Sequence, residues 1–167
     1  MTVLFNPSLS EEKQKSIKER LLSQEFNEPH IWISTSGSFA KEGVSKWVAL
    51  SEKAILASAK AVNQHLESTE KDIWLNPLPK FHVGGLGITT RAKLSGAAEF
   101  NYMSKWCPDH FVTLLKDMEA TLTALVPTQI FDIVLKKHQC PATLRAVVIG
   151  GGALDMALYT SAKNLGW

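Results

Sequence analysis

Cysteine is scarce in this sequence, and the two cysteines present are poorly placed to share a site. Cys107 and Cys140 are far apart in a chain of 167 residues, and neither has a partner at the spacing of metal ligands. Such a pair favours free thiols in a reducing compartment over a disulfide or a zinc site. Neither cysteine is predicted to act as a nucleophile.

Long apolar runs and an excess of charge of one sign are also missing. No apolar run approaches the roughly 18 residues that a membrane span needs, and the N-terminus lacks a basic start followed by an apolar segment. The formal net charge is only +2, with basic and acidic residues interspersed, which argues against nucleic-acid binding. With 45% hydrophobic residues, the composition predicts a soluble, cytoplasmic chain that forms one domain or a part of a larger one.

The first 27 residues have the pattern of an amphipathic helical lead-in. Ser8 and Glu11 have the spacing of a capping box, which predicts the start of a helix. Ile17, Leu21 and Leu22 then fall on one helical face among charged residues, as expected for a helix lying on a larger body.

From residue 28 onward, short apolar strands alternate with helical patterns. Strands are predicted at 30–35, 47–50, 72–75, 97–100, 121–126 and 145–149. This alternation predicts an α/β fold with a mainly parallel wound sheet and helices on both faces. Ligands of such sheets collect beyond the carboxyl ends of the strands, so we expect the turns after Ile33, Leu75 and Ile149 to lie along one edge.

The stretch from Ser34 to Ser51 has the composition of a phosphate-binding turn. An apolar strand leads into small hydroxyl residues, whose backbone N–H groups and side chains can donate to phosphate oxygens. Lys41 or Lys46 can supply an ammonium group to neutralise the charge. By itself, this composition is also typical of an ordinary surface turn.

The same stretch resembles the phosphate-binding signature of the adenylate-forming (acyl-CoA synthetase) superfamily, T-S-G-[ST]-T-G-x-P-K followed by an apolar strand and a helix. The opening of the signature matches Thr35 to Ser38, and its close matches Lys46 to Ser51. Residues 39–45 differ from the pattern, because the second Thr, the Gly and the Pro are replaced or displaced. Lys46 aligns with the family's lysine together with the following Val and Leu-Ser, and Lys41 is the alternative.

Three further segments extend the resemblance in the family's order. Residues 78–97 are similar to the L-P-L-F-H-x-G-G-L…R…G-A segment of o-succinylbenzoate–CoA ligases and close acyl-CoA synthetases. Residues 126–129 are similar to the family's V-P-T element. Residues 144–166 resemble L-R-x-[VIL]-x-x-G-G-A…A-K-x-L-G. Residues 28–167 are therefore identified as a partial AMP-binding domain of this superfamily.

The resemblance implies a ligase that activates a carboxylic acid with ATP and Mg²⁺ to an acyl-AMP and transfers the acyl group to CoA, as in menaquinone biosynthesis. It implies a set of ATP phosphate-binding residues: Thr35, Ser36, Gly37, Ser38 and Lys46. It also implies a set of residues around the acyl substrate: His82, Gly84, Gly85, Gly150, Gly151 and Gly152. Because residues 39–45 depart from the signature, ATP binding by this chain is expected to be weak or absent.

Several of these residues also have a purely structural interpretation. A lone histidine such as His82 is more often structural than functional. Gly84 and Gly85 suit a helix start that needs close backbone approach, and they equally suit a pocket floor. The glycines at 150–152 suit a strand-to-helix turn, and Arg91 is interpreted as a structural residue of a helix face.

The sequence reaches Trp167 before the family's Y-G-x-T-E element and its C-terminal domain, which carries the adenylation lysine. We therefore expect no catalytic residue and no turnover in this chain alone. The alternative function is a non-catalytic binding or scaffold domain derived from the same fold. A P-loop NTPase is disfavoured because G-x-x-x-x-G-K-[ST] is absent. Homo-oligomerisation is left open.

Overall fold

A computed structural model describes residues 2–24, 28–35 and 46–167. In chain order, these residues form β1 (Thr2–Leu4), α1 (Glu11–Leu22), β2 (His30–Ser34), β3 (Trp47–Ser51), α2 (Glu52–Leu66), β4 (Ile73–Asn76), α3 (Val83–Ser95), β5 (Ala98–Asn101), α4 (Pro108–Asp117), β6 (Leu122–Leu125), α5 (Pro127–Leu135), β7 (Ala146–Ile149) and α6 (Met156–Asn164). Within the described part of the chain, no helix is both long and apolar enough to cross a membrane.

The strands form two sheets. The larger sheet is parallel, with the strand order β5, β4, β6, β7. In the smaller sheet, β1 pairs with β2 in parallel and β3 pairs with β2 in antiparallel orientation. The predicted α/β class, with helices on both faces of a mainly parallel sheet, is confirmed.

The expectation that the turn after Ile33 leaves the same sheet as the turns after Leu75 and Ile149 is wrong. β2 belongs to the smaller sheet, because the chain returns after Ser34 as β3 and pairs with β2 directly. A parallel neighbour would have required a crossover helix between the two strands, and the helix α2 begins only after β3.

Alternating side chains of the larger sheet build a separate core on each face. On β4, Leu75 packs with α4, α5 and α6, whereas Trp74 packs with α3 on the opposite face. β6 repeats the pattern, with Leu125 on the first face and Leu122 on the second. This period of two produces three layers, with the parallel sheet in the middle.

Helix starts follow local capping chemistry, with one correction to the sequence analysis. Ser51 is the N-cap of α2, where its hydroxyl accepts from the Ala54 N–H at 3.1 Å. The N-cap of α1 is Ser10 and not Ser8, because the Ser8 N–H and hydroxyl are engaged by the Asn6 side chain in a preceding turn. The predicted apolar face of α1 is also incomplete, since Leu22 is 56% exposed.

A polar cluster ties together the amino ends of three parallel strands. Asp72, Thr121 and Arg145 immediately precede β4, β6 and β7. Arg145 binds both carboxylate oxygens of Asp72, through Nε at 2.9 Å and Nη2 at 2.7 Å, and the Thr121 hydroxyl donates to Asp72 at 2.7 Å. Arg145 Nη1 also donates to the carbonyl oxygen of Leu66, so the cluster satisfies the end of α2 as well.

This cluster predicts a stability change at acid pH. Burial raises the pKa of the Asp72 carboxyl, but hydrogen bonds from Arg145, the Thr69 N–H and Thr121 outweigh it and lower the pKa from 3.8 to about 2. The carboxylate therefore stabilises the fold above about pH 4, and this contribution is lost as the pH falls towards 2. Since the Arg145 side chain is 39% exposed, we expect a contribution of about 1–2 kcal/mol.

Urea unfolding of the wild type and Asp72→Asn at pH 7, 4 and 2.5 tests this expectation. The variant should be less stable at pH 7, and the difference should shrink at pH 2.5. Asp109→Asn is the control, because it removes a carboxylate from an exposed cluster with Lys136 and His138 and should change stability less. An unchanged difference between the wild type and Asp72→Asn across this pH range would contradict the assignment.

Candidate functional site

Two of the predicted site segments follow parallel strands that end at the same edge of the larger sheet. β4 ends at Asn76 and continues through residues 77–81 to His82. β7 ends at Ile149 and continues into the glycines at 150–152. β6 lies between these two strands, which separates them by about 10 Å at the usual strand spacing. The carboxyl edge of the sheet therefore carries both segments.

His82 connects this edge to the smaller sheet. Its Nδ1 lies 3.3 Å from the carbonyl oxygen of Ser34, the last residue of β2. Because a carbonyl oxygen only accepts hydrogen bonds, the contact places a proton on Nδ1 and leaves Nε2 of the neutral ring as an acceptor. His82 is also the N-cap residue of α3 but makes no side-chain cap bond, so its ring serves contacts outside the helix.

The predicted phosphate-binding segment is described only at its two ends. The Thr35 N–H donates to the Lys46 carbonyl oxygen at 2.9 Å, which places these residues side by side where β2 ends and β3 begins. Both residues are exposed. The other predicted residues of this segment lie outside the described part of the chain: Ser36, Gly37, Ser38 and the alternative lysine, Lys41. Thr35 directly follows Ser34, the residue that His82 contacts.

Gly85 occupies a position where no side chain fits. A Cβ atom there would overlap the carbonyl groups of Leu78 and Pro79, with the Pro79 carbonyl carbon at 2.6 Å. At Gly84, a Cβ atom would meet only the end of the Leu78 side chain, at 2.8 Å. Close backbone approach at the helix start therefore explains Gly85 fully, while Gly84 is less constrained.

The three glycines after β7 form an exposed turn. Only one of them has a backbone conformation that favours glycine. Gly151 has φ +81°, in the left-handed region that favours glycine. A Cβ atom on Gly150 would meet no described atom within 4 Å, and one on Gly152 would make an ordinary contact of 3.6 Å with Pro127. No described atom therefore fills the space next to Gly150, at the edge where the acyl substrate is predicted to bind.

Arg91 is a candidate binding residue that the sequence analysis missed. Its side chain lines a cavity of about 180 Å³ whose other walls come from β3, α2 and α3 and are mostly apolar. Burial lowers the pKa of the Arg91 guanidinium, and its Nε has no hydrogen-bond partner among the described residues. Partial burial of a guanidinium in a mostly apolar cavity is unfavourable without a partner, so this group is suited to bind an anionic ligand. The sequence carries no local signal for this role, because it depends on cavity walls supplied by β3 and α2.

The described residues do not assemble a metal centre. Across residues 2–24, 28–35 and 46–167, no group of three or more His, Cys, Asp or Glu side chains could hold a metal ion. Mg²⁺ prefers oxygen ligands such as carboxylates. We therefore assign no Mg²⁺ ligand in this part of the chain.

The fold is that of the N-terminal domains of acyl-CoA ligases, a parallel sheet between helices with an adjoining small sheet. A family described as "AMP-binding enzyme" matches residues 3–166. The chain belongs to this family.

Similar proteins include several 2-succinylbenzoate–CoA ligases. The Bacillus pumilus enzyme is 25% identical over 161 residues, which are 96% of this chain and 32% of that enzyme. The Escherichia coli enzyme is 32% identical over 132 residues, which are 79% of this chain and 27% of that enzyme. The chain thus spans about a third of the length of the curated relatives it matches.

Solved structures of o-succinylbenzoate–CoA ligases share the fold of this chain. The Bacillus subtilis o-succinylbenzoate coenzyme A synthetase in complex with AMP superposes with a TM-score of 0.76 at 20% identity, covering 96% of this chain and 36% of that protein. The E. coli MenE structure with an analogue of OSB-AMS gives a TM-score of 0.74 at 26% identity, covering 99% and 41%.

The different surroundings of Gly85 and Gly150 predict different stability changes when each is replaced by alanine. Gly85→Ala should destabilise the chain by about 2 kcal/mol or more, because the backbone of residues 78–79 must move. Gly150→Ala should change the free energy of unfolding by less than about 0.5 kcal/mol, because the added methyl group meets nothing. Denaturant unfolding of both variants measures this, and equal losses would contradict the placement of the turn before α3.

The environment of Arg91 predicts that removing its charge does not lower the stability of the fold. Arg91→Met should leave the free energy of unfolding unchanged or raise it by up to about 1 kcal/mol, because it removes a partly buried guanidinium whose Nε has no partner among the described residues. Arg145→Met is the matched comparison and should lower stability by about 2 kcal/mol or more, since it leaves the Asp72 carboxylate buried without its partner. A loss of similar size in both variants would assign Arg91 an ordinary structural role.

Proposed function

We propose that this chain is part of an adenylate-forming acid–thiol ligase similar to the o-succinylbenzoate–CoA ligases. In the proposed reaction, ATP activates a carboxylic acid to an acyl-AMP, and the acyl group is then transferred to coenzyme A. Structures of relatives that carry AMP, ATP with a magnesium ion, or the acyl-adenylate OSB-AMP support this choice of ligands.

The observation that carries the proposal is the contact between His82 and Ser34. It brings the histidine predicted to border the acid within one residue of Thr35, where the predicted phosphate-binding segment begins. Adenylation requires the carboxylate and the phosphates of ATP to meet, so the two predicted subsites have to be neighbours. Arg91 extends this arrangement, since its cavity is also lined by Val83, the residue after His82.

The proposed roles follow from the chemistry of adenylation. A carboxylate oxygen attacks the α-phosphorus of ATP and pyrophosphate leaves, so rate depends on positioning and on neutralising charge. Thr35 and Lys46, with the hydroxyls and N–H groups of residues 36–38, would hold the outgoing phosphates. Magnesium, when bound, would neutralise further phosphate charge.

Arg91 and His82 are the proposed contacts of the acid. The guanidinium of Arg91 supplies the positive charge for a carboxylate, and the apolar walls of its cavity suit a hydrophobic body. With its Nδ1 proton engaged by Ser34, the neutral ring of His82 presents an acceptor at Nε2. His82 therefore donates to a carboxylate only after the ring turns or gains a second proton.

A non-catalytic binding or scaffold domain derived from this fold is the second candidate. Residues 39–45 replace the Gly and Pro of the family signature, and they lie within the segment that would grip phosphate. In this second candidate function, the domain binds a ligand without catalysing its adenylation.

ATP titration followed by NMR tests the phosphate subsite and separates the two lysines. If Lys46 holds phosphate, Lys46→Gln should weaken ATP binding about tenfold, the usual effect of losing one charge-assisted hydrogen bond. Lys41→Gln is the matched control and should leave the affinity unchanged. The reverse pattern would move the role to Lys41, and no shift at millimolar ATP in the wild type would favour the non-catalytic candidate.

A further inference from the structure

We propose that Asn76 and Glu99 are positioning residues that hold His82 against the smaller sheet. The inference deepens the proposed function and rests on it, because His82 faces the acid only in that function. Neither residue belongs to the segments that match the family's signatures, and neither was singled out by the sequence analysis.

Asn76 closes both ends of the segment that carries His82. It is the last residue of β4 and is 1% exposed. Its Oδ1 accepts from the Leu78 N–H at 3.1 Å, and its Nδ2 donates to the carbonyl oxygen of Gly85 at 3.1 Å. His82 lies between residues 78 and 85, so a single side chain fixes the loop before it and the helical turn after it.

Glu99 of β5 holds Asn76 in this orientation. Its Oε1 accepts from Asn76 Nδ2 at 2.9 Å and from the Thr89 hydroxyl at 2.8 Å. Thr89 lies one turn beyond Gly85 on α3, so Glu99 fixes the helix as well as the amide. The Glu99 side chain is only 15% exposed, and hydrogen bonds in such an environment are strong and geometrically specific.

A fifth contact, from Lys80, reaches the loop itself. Lys80 Nζ lies 3.3 Å from Glu99 Oε1, two residues before His82. Lys80 stands where the family's L-P-L-F-H pattern has its second leucine, so this ion pair is a feature of the present chain and not of the pattern. The loop is thus tied to the larger sheet on both sides of Pro79.

The segment from Leu78 to His82 is closely packed against the first turn of α3. The first turn of α3 lies against the backbone of residues 78–79, because Gly85 has no side chain to separate them. The His82 N–H donates to the Pro79 carbonyl oxygen at 3.0 Å, which fixes the backbone of His82 in that loop. The His82 carbonyl oxygen also accepts from the Leu86 N–H at 3.0 Å, so both backbone groups of His82 are bonded while its ring contacts Ser34.

The position of the His82 proton reports this role directly. In the wild type, the bond to Ser34 favours the tautomer with its proton on Nδ1 over the tautomer with its proton on Nε2. If the network loosens, this bond weakens and the proton redistributes towards Nε2. Nitrogen-15 NMR of the imidazole measures the ratio of the two tautomers in the unliganded chain.

Glu99→Ala is the primary variant. It should lower the ratio of the Nδ1-protonated to the Nε2-protonated ring about fivefold, the effect of losing one ordinary hydrogen bond. Glu99→Gln keeps an oxygen acceptor for Asn76 and Thr89 and should retain most of the wild-type ratio. Should Glu99→Ala not fold, Thr89→Val removes one donor at nearly constant shape and should shift the ratio in the same direction by less.

Asp132→Ala is the control for general destabilisation. It removes the acceptor of Trp106 Nε1 among the helices on the opposite face of the sheet, and it should lower the melting temperature without changing the His82 tautomers. An unchanged tautomer ratio in Glu99→Ala, or in Thr89→Val if that variant has to be used, would overturn the proposal. A ratio change of equal size in Asp132→Ala would do the same.

The measurement requires neither ATP nor an acid, so it is independent of the proposed function. A tautomer shift in a chain that fails to bind ATP would keep the positioning role and favour the non-catalytic candidate. ATP binding with an unchanged ratio in Glu99→Ala would keep the assignment and reject the positioning role.

Discussion

The paired charges of Asp72 and Arg145 set the geometry on which the rest of the structure depends. They gather the amino ends of three parallel strands and the end of α2 at one side of the sheet. Because the strands are short and parallel, fixing their amino ends also fixes where their carboxyl ends stop. The two ends of the strands therefore differ. The amino ends are held by hydrogen bonds within the protein, whereas the carboxyl ends lead into exposed turns that can contact a ligand.

The candidate site belongs to neither sheet alone. His82 is supplied by the turn after β4 of the larger sheet, while Ser34 and Thr35 are supplied by the end of β2 in the smaller sheet. The Arg91 cavity lies in the same seam, between β3, α2 and α3. A site at such a seam combines side chains from segments that are distant in sequence, which suits a reaction that has to bring two ligands together.

Local features of the sequence were predictable, and long-range pairings were not. Periodicity located most of the helices and strands, and capping located the start of α2 at Ser51, because both depend on residues within a few positions. The strand β1 was not predicted, and the N-cap of α1 is Ser10 where Ser8 was predicted. The membership of β2 in a second sheet depends on its pairing with β3 and left no local signal. The resemblance located His82 and the glycines, whereas Asn76, Glu99 and Arg91 acquire their roles from contacts with other elements, such as the bond between Asn76 and Glu99.

Gly85 and Gly150 differ in how closely other atoms surround them, and this difference decides which of them can be substituted at the carboxyl edge of the larger sheet. Gly85 is locked by the carbonyl groups beneath it, so changes there disturb the framework before they reach a ligand. At Gly150, an added Cβ atom would meet no described atom within 4 Å, so a small side chain fits there without disturbing the described part of either core. In the proposed function, adding bulk at residue 150 would therefore narrow the range of acids that this edge accepts.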